Sequence, residues 1–223
     1  MRMKAVLFDL DDTLISEKEY VKSGYAAVAE VLSGQTGEEA ESIRESLWNL
    51  FTEDARCVFN RFYESRGISF EKEDVLALVK VYREHKPNIH FEEDVAETLS
   101  GLRKKGCYLG IISDGYAVTQ KNKVEALHAE NYFDRIILTD LLGEEYWKPS
   151  PKAFDLMQES SQVPFEEMIY VGDNPKKDFY ISTKRPIKTA RIYRPDGVYQ
   201  ESEYRENVKE TYSLTDLREL LTL

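Results

Sequence analysis

Five short, mostly apolar runs stand out along the chain, separated by longer stretches in which apolar residues recur every three or four positions. The runs lie at residues 4–8, 107–112, 135–138, 168–171 and 189–193. A short continuous apolar run is typical of a strand that is buried on both faces of a parallel sheet. We therefore predict that these five segments are strands.

Helical patterns lie between the runs, at residues 92–105, 117–130 and 151–160, and a short one closes the chain at 216–221. In the first, Val95, Leu99 and Leu102 fall on one face, and three basic residues fill the last turn before Gly106, where they complement the helix dipole. Strands that alternate with helices predict an α/β fold, with a Rossmann-like, mostly parallel sheet flanked by helices.

Residues 16–86 differ because they show helical patterns and no convincing strand. The patterns cover residues 19–32, 40–51, 53–66 and 72–85, and glycines at positions 34, 37 and 67 interrupt them. Pro87 is a plausible exit hinge. We predict an α/β core domain formed by residues 1–15 and 87–223, with a small helical domain, residues 16–86, inserted after the first strand.

The composition of the chain limits the functional classes to which the protein can belong. Hydrophobic residues make up 42% of the 223 residues, which predicts a packed globular protein. The formal net charge of -11 argues against a nucleic-acid partner, because such proteins present a basic face. A phosphorylated substrate remains compatible with this charge, because a bound divalent cation reverses the local sign.

The sequence shows neither a membrane or secretion segment nor a cysteine motif. The apolar run at residues 5–8 is too short for the core of a signal peptide, and no apolar stretch reaches the length of a bilayer span. Cys57 and Cys107 form no CxxC pattern, which argues against a disulfide scaffold or a structural zinc site. We therefore expect a cytoplasmic protein without a membrane partner.

Acidic residues follow the first predicted strand directly, in the segment DLDDT at residues 9–13. Asp9 and Asp11, two positions apart, can project to the same side. Crowded carboxylates are costly unless a cation neutralises them, and a hard divalent ion with oxygen ligands, such as Mg²⁺, fits. Without its context, the same cluster would equally suit a surface loop that caps a helix.

Three other polar clusters follow predicted strands or precede a helix. Ser113 and Asp114 follow the second strand, where a hydroxyl and backbone N–H groups can hold phosphate oxygens. Lys148, in KPSP, can be aimed as a fixed positive charge. Asp173 can complete a metal site and Asp178 can support it. Taken singly, these residues would also suit a turn, a solvated lysine and a helix N-cap.

The order and placement of the four clusters resemble the haloacid dehalogenase-like superfamily, whose four motifs match residues 9–13, 113, 148 and 173–178. The resemblance covers nearly the whole chain, and it is to the phosphatase branch with a helical cap inserted after the first motif. It implies that Asp9 attacks phosphorus and forms an aspartyl-phosphate, and that Asp11 is the general acid and base. It also implies Mg²⁺ bound by Asp9, the Asp11 backbone carbonyl and Asp173, with Asp178 in support.

The resemblance also assigns the phosphate contacts. The phosphate-binding residues would be Thr13, Ser113, Asp114 and Lys148. Lys148 would also balance the charge of Asp9, and Thr13 would also orient the loop. Relatives that remove halide from carbon lack an aspartate at the position of Asp11, because they need not protonate an alkoxide. The presence of Asp11 therefore favours phosphate esters.

The function expected from the resemblance is hydrolysis of a small phosphorylated metabolite, such as a sugar phosphate or a nucleotide monophosphate. A capped site suits a small substrate better than a folded phosphoprotein. Two alternatives remain at this point: a phosphomutase of the same superfamily, and a non-catalytic binding protein on the same fold.

Overall fold

A computed structural model, which describes residues 3–223, shows an α/β fold with one six-stranded parallel sheet. The strands are β1 (Ala5–Phe8), β2 (Tyr108–Ser113), β3 (Arg135–Leu138), β4 (Met168–Gly172), β5 (Lys188–Ile192) and β6 (Tyr212–Leu214). Their order across the sheet is β3-β2-β1-β4-β5-β6. The predicted fold class is confirmed, and all five predicted strands are present.

The sixth strand was not predicted. β6 pairs in parallel with β5 and has three residues, of which Ser213 is exposed and Leu214 is buried. A strand this short carries too few positions to display a strand pattern.

Within residues 3–223, seven α-helices accompany the sheet. They are α1 (Glu17–Thr36), α2 (Ala40–Glu53), α3 (Val58–Ser65), α4 (Lys72–Glu84), α5 (Val95–Lys104), α6 (Ala117–Ala126) and α7 (Lys152–Ser161). The four helical segments predicted between residues 16 and 86 correspond to α1–α4. The third begins at Val58 rather than near residue 53, because the backbone is extended at Asp54 and left-handed at Cys57.

Two predicted helices near the sheet are shorter or tighter than expected. The segment 117–130 is helical only to Ala126, because His128 adopts a left-handed conformation before a short 3₁₀ turn at Ala129–Asn131. The closing segment is a 3₁₀ helix, Leu217–Thr222, whose N-terminus is capped by the side chain of Asp216.

The chain divides into two compact units. One, the sheet unit, comprises the chain up to Glu17 together with Ile89–Leu223, and the other, the helical unit, comprises Lys18–Asn88. Among the helices of residues 3–223, none combines the length and apolar character needed to cross a bilayer.

The sheet unit is built around strands that are buried on both faces. Every residue of β1 is fully buried, as the continuous apolar run requires. On one face Leu7 and Tyr170 pack with Phe154 and Met157 of α7. This packing fixes the strands whose carboxyl ends carry the polar clusters.

The helical unit has a core of its own. The apolar faces of its helices bring together Tyr25, Leu32, Leu47, Phe62 and Leu78, all of which are buried. The burial of these side chains stabilises α1–α4, since isolated helices of 8 to 20 residues are marginal in water.

Candidate active site

Asp9 lies at the carboxyl end of β1, between β2 and β4, and its backbone N–H donates to the carbonyl of Val171 (2.8 Å). The carboxylate oxygen Oδ1 accepts from the N–H of Leu10 (2.9 Å) and lies 2.7 Å from Nζ of Lys148. The other carboxylate oxygen, Oδ2, lies 3.9 Å from Nζ of Lys177. Burial raises the pKa of Asp9 to about 6, against the lowering effect of the two lysines.

The turn after Asp9 is fixed by its own backbone and by Asp12. The carbonyl of Leu10 accepts the backbone N–H of Leu14 (2.9 Å), and Asp12 has a left-handed backbone (φ 49°). The Asp12 carboxylate accepts the N–H of Glu17 (2.9 Å) and of Val198 (3.1 Å). Asp12 therefore ties the turn to the start of α1 and to the segment after β5, and its role is structural.

A buried arginine holds the next residue of the turn. Arg194 donates from Nε (3.1 Å) and Nη2 (2.6 Å) to the carbonyl of Thr13, and it forms a two-pronged ion pair with Asp94 (2.8 and 3.0 Å). The Thr13 side chain is buried, and its hydroxyl has no hydrogen-bond partner among residues 3–223. Thr13 thus contributes its backbone to the geometry of the turn.

Lys148 is enclosed by oxygen atoms. Its Nζ lies 2.7 Å from Asp9 Oδ1 and 3.1 Å from Asp178 Oδ1, and it donates to the hydroxyl of Tyr170 (2.7 Å). Burial by itself lowers the pKa of Lys148, but Asp178 and Asp9 outweigh it and the pKa is raised. Lys148 therefore places a fixed positive charge beside Asp9.

Three buried carboxylates form a cluster that could hold a metal ion. Asp9, Asp173 and Asp178 each offer an oxygen within 4.8 Å of the others. Asp178 Oδ2 accepts the N–H of Asn174 (2.9 Å), whereas Oδ2 of Asp173 is buried without a partner within the described chain. Burial, followed by the charges of Asp178 and Asp9, raises the pKa of Asp173 to about 9. A divalent cation with oxygen ligands would satisfy the unpaired oxygen and relieve this repulsion.

Asp11 turns toward α6 and stands apart from the cluster of carboxylates. Its oxygens accept from Lys123 (2.7 Å) and Gln120 (2.7 Å), and Lys123 also contacts Glu17 (2.7 Å). Burial by itself raises the pKa of Asp11, but Lys123 outweighs it, so the pKa is lowered. Gln120 also donates to the hydroxyl oxygen of Ser113 (2.9 Å), and so joins the first and second clusters.

Asp114 has both carboxylate oxygens occupied. Oδ1 accepts from the hydroxyl of Thr139 (2.7 Å) and from the backbone N–H of Lys148 (3.1 Å), and Oδ2 accepts from Nζ of Lys177 (3.1 Å). An ionised carboxylate cannot donate to a phosphate. The Asp114 carboxylate therefore contacts Lys177, and the assignment of Asp114 as a phosphate-binding residue stays a prediction.

The structure brings together most of the residues that the sequence nominated and adds others. Asp9, Lys148, Asp173 and Asp178 surround one point, and Ser113 joins Asp11 through Gln120. Four neighbouring side chains were missed, namely Gln120, Lys123, Tyr170 and Lys177. For the first two a signal existed, because polar residues three apart on a helix share a face. Tyr170 was missed because it lies within the apolar run that forms β4.

The sequence profile described as haloacid dehalogenase-like hydrolase matches residues 6–192, which include all four clusters. The chain belongs to this family. The haloacid dehalogenase-like resemblance drawn from the motifs is thereby confirmed, and so is the helical insertion after β1. The chain is an enzyme, a hydrolase of the family's phosphatase branch.

Curated relatives of this haloacid dehalogenase-like hydrolase are phosphatases by name. Glyceraldehyde 3-phosphate phosphatase of Methanopyrus kandleri is 30% identical over 213 residues, which cover 92% of this chain and 89% of the relative. Its namesake from Pyrococcus furiosus is 26% identical, with 99% and 92% covered. Pyrophosphatase PpaX of Bacillus cereus is 26% identical, with 100% and 97% covered.

Solved structures of the family share the fold. A HAD phosphatase from Thermococcus onnurineus superimposes with a TM-score of 0.62 at 26% identity, with 99% of this chain and 97% of that chain covered. A HAD hydrolase from Bacillus subtilis, solved bound to magnesium, gives a TM-score of 0.67 at 19% identity, with 100% and 98% covered.

Proposed function

We propose that this haloacid dehalogenase-like hydrolase is a Mg²⁺-dependent phosphatase that acts on a small phosphorylated metabolite through an aspartyl-phosphate on Asp9. The observation that carries the proposal is the asymmetry of the Asp9 carboxylate. Oδ1 is held by Leu10 and Lys148, whereas Oδ2 accepts no hydrogen bond from the described residues and lies 3.9 Å from Nζ of Lys177. A carboxylate with one oxygen fixed and the other open is arranged as a nucleophile.

In the first step Oδ2 of Asp9 attacks phosphorus, and the bond between phosphorus and the ester oxygen breaks. Asp11 gives a proton to the departing oxygen. Lys123 keeps Asp11 ionised in the arrangement described, so before the first step Asp11 must separate from Lys123 and take up a proton from water. Ser113 and nearby backbone N–H groups hold the phosphate oxygens.

In the second step a water attacks the aspartyl-phosphate, and Asp11 takes the proton from that water. Inorganic phosphate leaves and the Asp9 carboxylate is restored. Lys148 keeps Asp9 in place through both steps, because it contacts the oxygen that does not react.

Asp9 and Asp173 would hold Mg²⁺, with the backbone carbonyl of Asp11 as a further ligand and Asp178 in support. The unpaired Oδ2 of Asp173 and the crowding of three carboxylates fit a hard cation with oxygen ligands. When bound, Mg²⁺ lowers the charge repulsion between the Asp9 carboxylate and the phosphate.

For the substrate class we propose a small sugar phosphate of the glyceraldehyde 3-phosphate type. The support is that several relatives that cover most of the chain bear that name. Pyrophosphate is the second candidate, because the PpaX relatives also cover the chain fully. A panel of both, together with nucleotide monophosphates, ranked by kcat/KM at low substrate concentration, distinguishes these classes.

The proposed chemistry is tested by the release of phosphate from a generic aryl phosphate with and without Mg²⁺. We expect release that depends on Mg²⁺ and is abolished in Asp9→Asn, because an amide lacks the nucleophilic oxygen. Asp155→Asn is the matched control, since Asp155, on α7, forms a partly exposed ion pair with Arg185. Undiminished turnover in Asp9→Asn would overturn the assignment of the nucleophile.

A phosphomutase would use the same Asp9 chemistry and return the phosphate to a sugar. The product decides between the two reactions. Free inorganic phosphate supports hydrolysis, whereas an isomerised sugar phosphate that forms only with a bisphosphate activator supports the mutase.

A further inference from the structure

Two lysines flank Asp9, namely Lys148 and Lys177, and the sequence motifs assign a role only to Lys148. Lys148 lies 2.7 Å from Oδ1, and Lys177 lies 3.9 Å from Oδ2. The two ammonium groups therefore face opposite oxygens of one carboxylate. The surroundings of the two lysines differ in a way that assigns them different tasks.

Lys148 has its capacity as a donor filled. An ammonium group carries three protons and accepts nothing. Three oxygens lie within 3.1 Å of Nζ, from Asp9, Asp178 and the hydroxyl of Tyr170, and the side chain is only 1% exposed. To contact a phosphate, Lys148 would have to give up one of these partners in a place that excludes water.

Lys177 has donor capacity to spare. Among the described residues, only Oδ2 of Asp114 accepts a hydrogen bond from it (3.1 Å), and its side chain is 26% exposed. It thus keeps two protons for another acceptor.

Asp114 fixes the direction of this free ammonium. The carboxylate is itself held by Thr139 and by the backbone of Lys148, and it is buried. One proton of the Lys177 ammonium group is therefore donated to Asp114, and the other two remain available. The ammonium group lies on the same side of the Asp9 carboxylate as Oδ2. A cation beside the attacking oxygen lies where the negative phosphate group must approach.

We propose that Lys177 is the cation that binds the transferring phosphate group, while Lys148 serves mainly to position Asp9 and Asp178. This inference rests on the proposed phosphatase function and reassigns to Lys177 the phosphate contact that the family resemblance implies for Lys148. Lys177 thereby becomes a catalytic residue and Asp114 a positioning residue for it.

Inorganic phosphate is the probe for this role, measured as a competitive inhibitor and by calorimetric titration of the folded protein. Lys177→Gln removes the charge and keeps a donor for Asp114, and Lys177→Met removes both. The matched control is Lys176→Gln, because Lys176 is the adjacent lysine and its side chain is exposed. Thermal unfolding is followed for every variant.

We expect both Lys177 variants to bind phosphate roughly 10- to 100-fold more weakly, the range for one hydrogen bond to a charged group. KM for the substrate should rise with it, and Lys176→Gln should stay within about twofold, since an exposed charge is screened. Phosphate binding within about twofold of wild type in Lys177→Gln, or an equal loss in Lys176→Gln, would overturn the inference.

A second experiment, in the Asp114→Asn variant, distinguishes phosphate binding by Lys177 from simple neutralisation of the Asp114 charge by Lys177. In Asp114→Asn the carboxylate charge is gone, so a lysine that merely balanced it would have no further effect. We expect Lys177→Gln to weaken phosphate binding by roughly tenfold or more in that background as well. No further loss there would show that Lys177 acts only on Asp114.

The activity of the wild-type protein distinguishes failure of the proposed phosphatase function from failure of the inference about Lys177. If wild type releases no phosphate from any substrate with Mg²⁺, the proposed function fails. If wild type is active and Lys177→Gln retains its phosphate affinity, only the inference about Lys177 fails.

Discussion

Gly172, the last residue of β4, tests whether the site depends on the close approach of Asp178 to the strand. A Cβ built at Gly172 would lie 2.5 Å from Oδ2, 2.7 Å from Cγ and 3.0 Å from Cβ of Asp178, whereas ordinary contact begins at 3.4 Å. In Gly172→Ala the carboxylate or the strand must therefore move by about 1 Å. The carboxylate would then leave its contacts with Lys148 (3.1 Å) and the N–H of Asn174 (2.9 Å).

Overpacking of this kind costs about 1–3 kcal/mol, and each kcal/mol lowers Tm by roughly 2–4 °C in a protein of this size. Loss of a residue that supports a metal site typically lowers activity by about 10- to 100-fold. We expect Gly172→Ala to show both effects, measured by thermal unfolding and by kcat/KM for an aryl phosphate with saturating Mg²⁺.

Gly101→Ala is the control for the added methyl group. Its Cβ would meet only the ends of the Leu221 side chain (2.6 and 2.9 Å), which can rotate away, and alanine favours the helix α5. Activity in this variant should equal that of wild type. The reasoning is refuted if Gly172→Ala keeps wild-type kcat/KM, or if Gly101→Ala loses as much.

Three further predictions concern the acid–base residue, the buried ion pair and the metal. Asp11→Asn should keep Mg²⁺ and substrate binding and lose most of kcat in steady-state assays; an equal loss of binding contradicts its acid–base role. Asp94→Ala should lower the free energy of unfolding by about 3–5 kcal/mol in urea titrations, because it strands the buried Arg194; a loss below about 1 kcal/mol contradicts this. Since the pKa of Asp173 is raised from 3.8 to about 9, this group destabilises the metal-free protein increasingly as pH rises between those values. Mg²⁺ binding requires its ionised form, so the Mg²⁺-induced rise in Tm should be larger at pH 8 than at pH 6, with apparent affinity changing by up to about tenfold per pH unit. Equal Mg²⁺-induced rises in Tm at pH 6 and pH 8 would contradict this prediction.

The strands and helices that pack on both sides were predictable because their burial leaves a continuous or periodic apolar pattern. β1 and α5 are examples, and both lie where the sequence placed them. The start of α3 was misplaced, because the left-handed residue before it, Cys57, carries no local signal for that conformation.

At the site, sequence order identified the carboxylates and Lys148, since they directly follow strands or precede a helix. It could not rank the lysines, because the difference between Lys148 and Lys177 lies in how many oxygens surround each ammonium. Those oxygens come from β1, β2, β4 and the loops after them, so they become neighbours only in the folded chain. The same holds for Tyr170, whose hydroxyl gains its partners from outside its own strand.

The contacts that fix the turn after Asp9 have a consequence for the order of folding. Arg194 reaches the carbonyl of Thr13 across 181 residues, and Val198 reaches Asp12 across 186. Contacts this distant in sequence close late, because loop closure comes at an entropic cost. During synthesis, β1 and β2 can pair well before residues 194–198 exist. The first strands can therefore pair early, whereas the turn after Asp9 receives these contacts only when nearly all of the polypeptide has been made.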